Sequence, residues 1–339
     1  MQTAQKQENT RISSFDYIKA FCIFFVCLGH ALLFIFTDMD YSYPATKYIY
    51  AFHMPLFMTV SGFFFVSSLK KDFATLIKEK SVQLLLPCLS FFLIIKICRL
   101  QASLNFWYMK CLFCLYVIYW LLFKIKEKIG IRTGLYCGIL AFLFLVLAPF
   151  FNRWLFISYK IMFMFPFFAL GIALRRYWTL IQKYEKYIFI ASFLISLVAL
   201  YFWKTEYIIY FTPIRYFSFI GFDKNLLIAS VIRWMTGSVI SVFLIVFFDV
   251  ISKMGQYENI SSLFFQSVGR HSMQIYLLQS FMLEYSFIDY RKYDFGKIDY
   301  KYIGGGLAAI IAIIISMVLA WLVSRNKMLN LILFGKRKK

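Results

Sequence analysis

The stretch Lys19–His30, KAFCIFFVCLGH, decides how the rest of the chain is read. It lies inside Tyr17–Phe36, a mostly apolar run of about twenty residues, the length that crosses a hydrocarbon core as an α-helix. Lys19 and His30 are eleven positions apart. At 100° per residue they return to within about 20° of one face, separated by about 16 Å along the axis. One helix therefore carries a cation near its start and a titratable ring deep in apolar surroundings. Taken alone, Lys19 also suits an anchor at the inner membrane surface, paired with Asp16 at i, i+3.

The pattern repeats along the sequence. The 339 residues are 62% hydrophobic and 22% aromatic, against about half apolar in a soluble domain. Long apolar runs alternate with short charged segments, as in a polytopic membrane protein. The runs are Tyr17–Phe36, Tyr48–Ser68, Val82–Ile97, Phe106–Phe123, Leu135–Phe151, Ile157–Leu174, Tyr187–Trp203, Asn225–Ile251, His271–Ile288 and Tyr302–Ser324. The expected fold is all-α: a membrane bundle of about ten transmembrane helices forming a single domain over 1–339. Residues 1–16 make a polar N-terminal segment with no signal-peptide cleavage site, and 325–339 a basic tail.

About two thirds of the Lys and Arg fall on the side shared by both termini, which predicts cytoplasmic ends. The net charge of +21 is thus accounted for by orientation in the bilayer, and no nucleic-acid partner is implied. The segment Glu206–Asp223 is aromatic but has Pro213 and Arg215 at its middle, so it is placed at the outer interface as a lid or re-entrant loop. Cys111 and Cys114 form a C-x-x-C on an expected spanning helix without neighbouring histidines; they are read as packing, with no metal site.

Of three histidines, His271 falls at a helix start, while His30 and His53 fall inside spans. His30 is about 20 Å above the inner end of its helix, and His53, on the antiparallel neighbour, about 22 Å from the same face. Lys110, Arg233 and Glu284 fall in or near this outer layer. Intramembrane charges usually line a cavity or pathway. The alternatives are that Lys110 reaches the outer surface, that Glu284 makes a structural ion pair, and that the histidines merely bond between helices.

Several of these residues sit in motifs. Lys19-x10-His30 follows FDYIKA, and the second span reads YAFHMPLFMTVSGFFF over Tyr50–Phe65. IKEKSVQLLLP covers Ile77–Pro87, FWYMKCLF covers Phe106–Phe113, and VGRHSMQIYLLQ covers Val268–Gln279. Together they resemble the integral-membrane acyltransferase family, the acyltransferase-3 group, which O-acylates sugars and polysaccharides. One departure is that the late Tyr-Leu-x segment commonly ends in His, and here it ends in Gln279, which can hydrogen-bond but not titrate.

The resemblance implies a transferase in the cell membrane, moving an acyl group, acetyl being the commonest, from cytoplasmic acetyl-CoA or another acyl-CoA to a saccharide or polysaccharide hydroxyl. In that reading His30 is the general base or a transient acyl carrier, and His53 orients the acceptor or stabilises the oxyanion. Lys110 and Arg233 stabilise charge, with Glu284, Trp107 and Gln279 beside the substrate, and Lys19, Lys78 and Lys80 meet the CoA phosphates. Aromatic residues of Tyr207–Phe222 could stack on sugar rings or form an interfacial belt. The rival is a transporter or flippase for a saccharide or lipid-linked sugar, against which stands the absence of an inverted repeat. Oligomeric state is open.

Overall fold

The computed structural model describes residues 14–36, 40–97, 106–130, 132–147, 149, 158–210, 214, 216–218, 221–254, 260–283 and 298–336. Helix α1 spans Ser14–Ala31 and runs on through a π-helical turn, Leu32–Phe36. Helix α2, Pro44–Phe65, starts on a proline, which needs no hydrogen bond in the first turn and is pre-set for helix. A 3-10 turn, Val66–Lys70, extends it. Next come α3, Phe73–Lys80, a π-helical turn, Ser81–Leu85, and α4, Leu86–Ile97. Then follow α5, Trp107–Ile129, α6, Thr133–Leu147, α7, Ser158–Arg176, α8, Trp178–Lys183, and α9, Glu185–Tyr201. The last group is α10, Lys224–Met254, α11, Ile260–Arg270, α12, Ser272–Leu283, α13, Ile298–Ser324, and α14, Lys327–Phe334.

The chain is thus a helical bundle. Six of its helical stretches are long and apolar enough to cross a membrane among the described residues: Ser14–Phe36, Pro44–Lys70, Phe73–Ile97, Trp107–Ile129, Lys224–Lys253 and Lys301–Ser324. Leu135–Leu147 is apolar but shorter. The remaining three expected spans overlap the helices α7, α9 and α12, which are not among these six stretches. Large apolar side chains on α6, α9 and α13 stay exposed, among them Phe142, Leu194 and Ile311, as suits faces in contact with lipid.

One boundary differs from expectation, and one segment is non-spanning as expected. The basic stretch around Lys78 and Lys80, expected as a loop, is helical. Asp72 caps it by accepting a bond from the Thr75 amide at 2.9 Å, and a capped polar turn can then lead straight into an apolar helix. Glu206–Asp223 forms no spanning helix among its described residues. It contains a 3-10 turn, Thr205–Tyr207, and a two-residue hairpin, β1 Phe217–Ser218 with β2 Gly221–Phe222. Pro213 and Arg215 lie outside the described residues, as do Glu284 and residues 337–339 of the basic tail.

The crossing of α2 and α7 holds the bundle's centre. A Cβ at Gly62 would stand 2.1 Å from the Phe168 carbonyl oxygen, and one at Gly171 would stand 1.9 Å from that of Thr59. Only glycine allows this backbone-to-backbone approach, the small-residue packing typical of helices in lipid. The crossing fixes α2, which carries His53, against α7, which carries Lys160. Indole and phenol donors seal carbonyls around it. Trp234 Nε1 donates to the Phe163 oxygen at 3.3 Å, and the Tyr119 hydroxyl to the Phe165 oxygen at 2.9 Å. These carbonyls flank Pro166, which lacks an amide hydrogen and interrupts the helical ladder of α7.

Candidate active site

Among the cavities of the described residues, two have charged side chains in their walls, one toward each end of the bundle; a third, about 710 Å³, is walled mostly by apolar side chains such as Phe21, Phe248 and Ile313. The upper one, about 180 Å³, is lined by His30, His53, Trp107, Lys160, Tyr210 and Ser280, among others. The lower one, about 480 Å³, is lined by Lys19, Lys71, Lys80, Arg270 and Lys336, with Asp16 the one carboxylate on its described wall. Met54 and Tyr276 line both.

His30 comes from α1 and His53 from α2, and the structure brings them to one chamber as their equal depth led us to expect. The tautomers follow from the partners. Gln279 Nε2 donates to the Tyr276 carbonyl oxygen at 3.2 Å and to Ser280 Oγ at 3.0 Å. A carbonyl cannot donate, so the amide nitrogen must face it, which turns Gln279 Oε1 toward His30. His30 Nδ1, 3.1 Å away, must then donate to that oxygen. The neutral ring carries its lone pair on Nε2. His53 Nδ1 donates to the Ile49 carbonyl oxygen at 2.6 Å, so its lone pair is also on Nε2. Gln279, fully buried, thus holds the His30 ring by one hydrogen bond at Nδ1.

Aromatic rings form the rest of the upper wall. Tyr50 packs edge-on against His53 with centroids 4.9 Å apart, and Tyr210 packs on Tyr50 at 6.0 Å and Tyr41 at 5.7 Å. Lys160 is 6% exposed, its ammonium 4.6 Å from the Trp107 ring and 5.3 Å from that of Tyr210. Such contacts hold a cation where water is scarce. Trp107 and Tyr210 therefore stand where the motif and the aromatic loop suggested. Lys160, Tyr41, Tyr50 and Tyr276 were not singled out from the sequence.

The lower cavity gathers its cations from five elements. Lys19 lies 3.9 Å from Asp16 in an ion pair. Lys71 pairs with Glu79. Lys80 bonds Gln83 Oε1 at 3.0 Å and stands 4.0 Å over the Tyr116 ring. Arg270 ends α11. Lys336 follows α14, which starts on Asn326, whose side chain accepts from the Met328 and Leu329 amides, and ends on Gly335 at φ 61°. A Cβ at Gly335 would stand 2.1 Å from the Val82 carbonyl oxygen. The chain is pinned there, and Lys336 Nζ reaches the Arg270 carbonyl oxygen at 3.3 Å. Burial, with Lys19 nearby, lowers the Lys336 pKa to about 8.

Other expected residues are not brought in. Lys78 is exposed. It lies 200° around the helix from Lys80, so both cannot face one cavity. Lys110 is likewise exposed and lines neither chamber, because the cavity face of α5 runs through Tyr108, Leu112 and Tyr116. Arg233 is 1% exposed, lines neither chamber, and has no hydrogen-bond partner for its three guanidinium nitrogens among the described residues. Glu284 lies outside those residues. His271, between α11 and α12, bonds the Ser267 carbonyl oxygen at 2.8 Å.

Comparison with known proteins adds a second line. Residues 12–325 match the model of an acyltransferase domain, that of the acyltransferase-3 group. Nodulation protein NolL of Sinorhizobium fredii is 37% identical over 102 residues, covering 29% of this chain and 28% of that protein. Nodulation protein NolL of Mesorhizobium japonicum is 42% identical over 85 residues, covering 24% of this chain and 23% of that protein. The matches therefore span only about a quarter of these relatives' length. No solved structure matches the chain.

Proposed function

The chain belongs to the acyltransferase-3 family, and from that premise we propose that it is an O-acyltransferase moving an acetyl group from cytoplasmic acetyl-CoA to a hydroxyl of a saccharide or surface polysaccharide precursor. The observation that carries the reading is the pair of cavities meeting at Met54 and Tyr276. One is cationic, as a phosphate-headed donor requires. The other is aromatic and holds two histidines, as a sugar hydroxyl awaiting a base requires.

In this reaction the acceptor hydroxyl gives its proton to His30 Nε2 while its oxygen attacks the thioester carbonyl carbon. The carbonyl π electrons move onto oxygen, and the resulting oxyanion is stabilised by the ammonium of Lys160, which takes the role first expected of Lys110, while His53 Nε2, a hydrogen-bond acceptor, orients the sugar by one of its hydroxyls. Collapse re-forms the carbonyl and breaks the carbon–sulfur bond. The thiolate leaves with the proton held by His30, restoring the neutral ring. Gln279 keeps Nδ1 protonated throughout, so Nε2 is the nitrogen that cycles. Lys19, Lys71, Lys80, Arg270 and Lys336 hold the donor's phosphates. Trp107 and Tyr210 face the sugar.

The same reading sets both termini in the cytoplasm, where the donor is found, in a cell-membrane enzyme of about ten spans. The test is donor-dependent stability in detergent. Acetyl-CoA must raise the melting temperature, because a ligand of the folded state does so by mass action, and labelled acetyl must pass to saccharide. A protein that moves labelled sugar across vesicles without consuming acetyl-CoA would instead be the transporter.

A further inference from the structure

The two chambers share two wall residues, Met54 and Tyr276. We propose that Met54 and Tyr276, which line both, form the passage that admits the donor's acyl group and set the longest chain that can enter. The inference rests on the donor reading above: CoA is held below, and the reacting carbonyl must come up to His30.

The passage has one stiff side and one soft side. The Tyr276 ring lies between Phe106, which lines the upper chamber, and Tyr108, which lines the lower, with centroids 6.2 and 6.0 Å away. Tyr108 is itself tied by its hydroxyl to Ser61 Oγ at 3.1 Å. The Tyr276 carbonyl oxygen accepts from Gln279, so the residue that narrows the passage also anchors the group orienting His30. Met54 is the soft side. It is 8% exposed, directly follows His53, and its unbranched thioether can change rotamer at little cost.

Beyond the passage there is little room for hydrocarbon. The upper chamber, about 180 Å³ against about 480 Å³ below, must hold the reacting carbonyl and the acceptor hydroxyl together. Its wall includes His30, His53, Lys160 and Ser280. Each further methylene pushed among such groups displaces water that they need. The class selected is therefore a short, unbranched acyl group, and Met54 is the side chain whose truncation would relax the limit.

Non-transferable thioethers test this without an identified acceptor. S-ethyl-, S-butyl- and S-hexyl-CoA are titrated into the full chain in detergent, with CoA itself as reference. In the wild type, affinity falls by about tenfold or more from ethyl to hexyl, the scale on which pockets discriminate methylenes. In Met54→Ala the hexyl compound regains most of that loss, measured against CoA binding to the same variant. Equal wild-type affinity for all three thioethers overturns the proposal, even if Met54→Ala does not fold. So does an unchanged profile in a folded Met54→Ala. If CoA itself fails to bind, the donor reading falls first and takes the passage with it.

Discussion

The two chambers share helices α1, α2, α5 and α12 yet differ in how their chemistry is assembled. The upper one takes its histidines from neighbouring helices, α1 and α2, and each ring is set by one bond to a fixed oxygen. The lower one collects single cations from Lys19 to Lys336, almost the length of the described chain. A reacting proton needs an atom in one place, whereas a polyphosphate needs summed positive charge and tolerates looser placement. The difference teaches that substitutions above should reduce rate, and substitutions below should reduce affinity.

The sharpest break would come at His30. His30→Ala should lower acyl transfer by about 10²–10⁴-fold, the usual share of a general base, while acetyl-CoA still raises its melting temperature as in the wild type. Loss of both would mean that the chambers do not divide the work. Next in size is Lys80→Met. Losing a charged contact to phosphate removes about 1.5–3 kcal/mol, or about ten- to a hundredfold in donor affinity. Titration should show that weakening while kcat at saturating donor holds.

A smaller effect belongs to Gln279→Leu. It removes one bond to the base, about 1–2 kcal/mol or a factor of about 5–30 in rate, with donor affinity unchanged. Steady-state kinetics would separate the two, and a rise in donor KM alone would contradict the orienting role. The smallest is a pH effect. Lys336 loses its proton as pH rises through about 8. A phosphate bound there above that pH must draw a proton in, so donor affinity should decline above pH 8, by less than about tenfold per unit for a single group. Lys336→Met should bind more weakly below pH 8 and lose the share of the decline that Lys336 contributes.

Much of the upper chamber was legible because helical arithmetic is reliable within a span. The eleven-residue spacing put Lys19 and His30 on one face, and antiparallel neighbours brought His30 and His53 to one level. Gln279 could be located by its motif, but its role depends on which way an amide turns, and only the Tyr276 carbonyl fixes that. The lower chamber was harder. Lys71, Arg270 and Lys336 are ordinary basic residues beside helix ends, and the positive-inside pattern explains such residues without any cavity. Lys78 and Lys80 looked equivalent while their stretch was taken as a loop, and helix formation separates them by 200°. Lys160 was overlooked because two of its ring partners, Trp107 and Tyr210, come from α5 and the segment after α9, which no spacing within α7 reveals.

The way α14 folds back has a consequence for biogenesis. Lys336 bonds the carbonyl of Arg270, and residues 327–336 emerge from the ribosome after every other part of the donor chamber. An insertion intermediate that has already buried α1 to α12 in the bilayer would hold its histidines in register yet lack the last cation for CoA. On the proposed reading, affinity for the donor would thus reach its full value only once translation had passed that point.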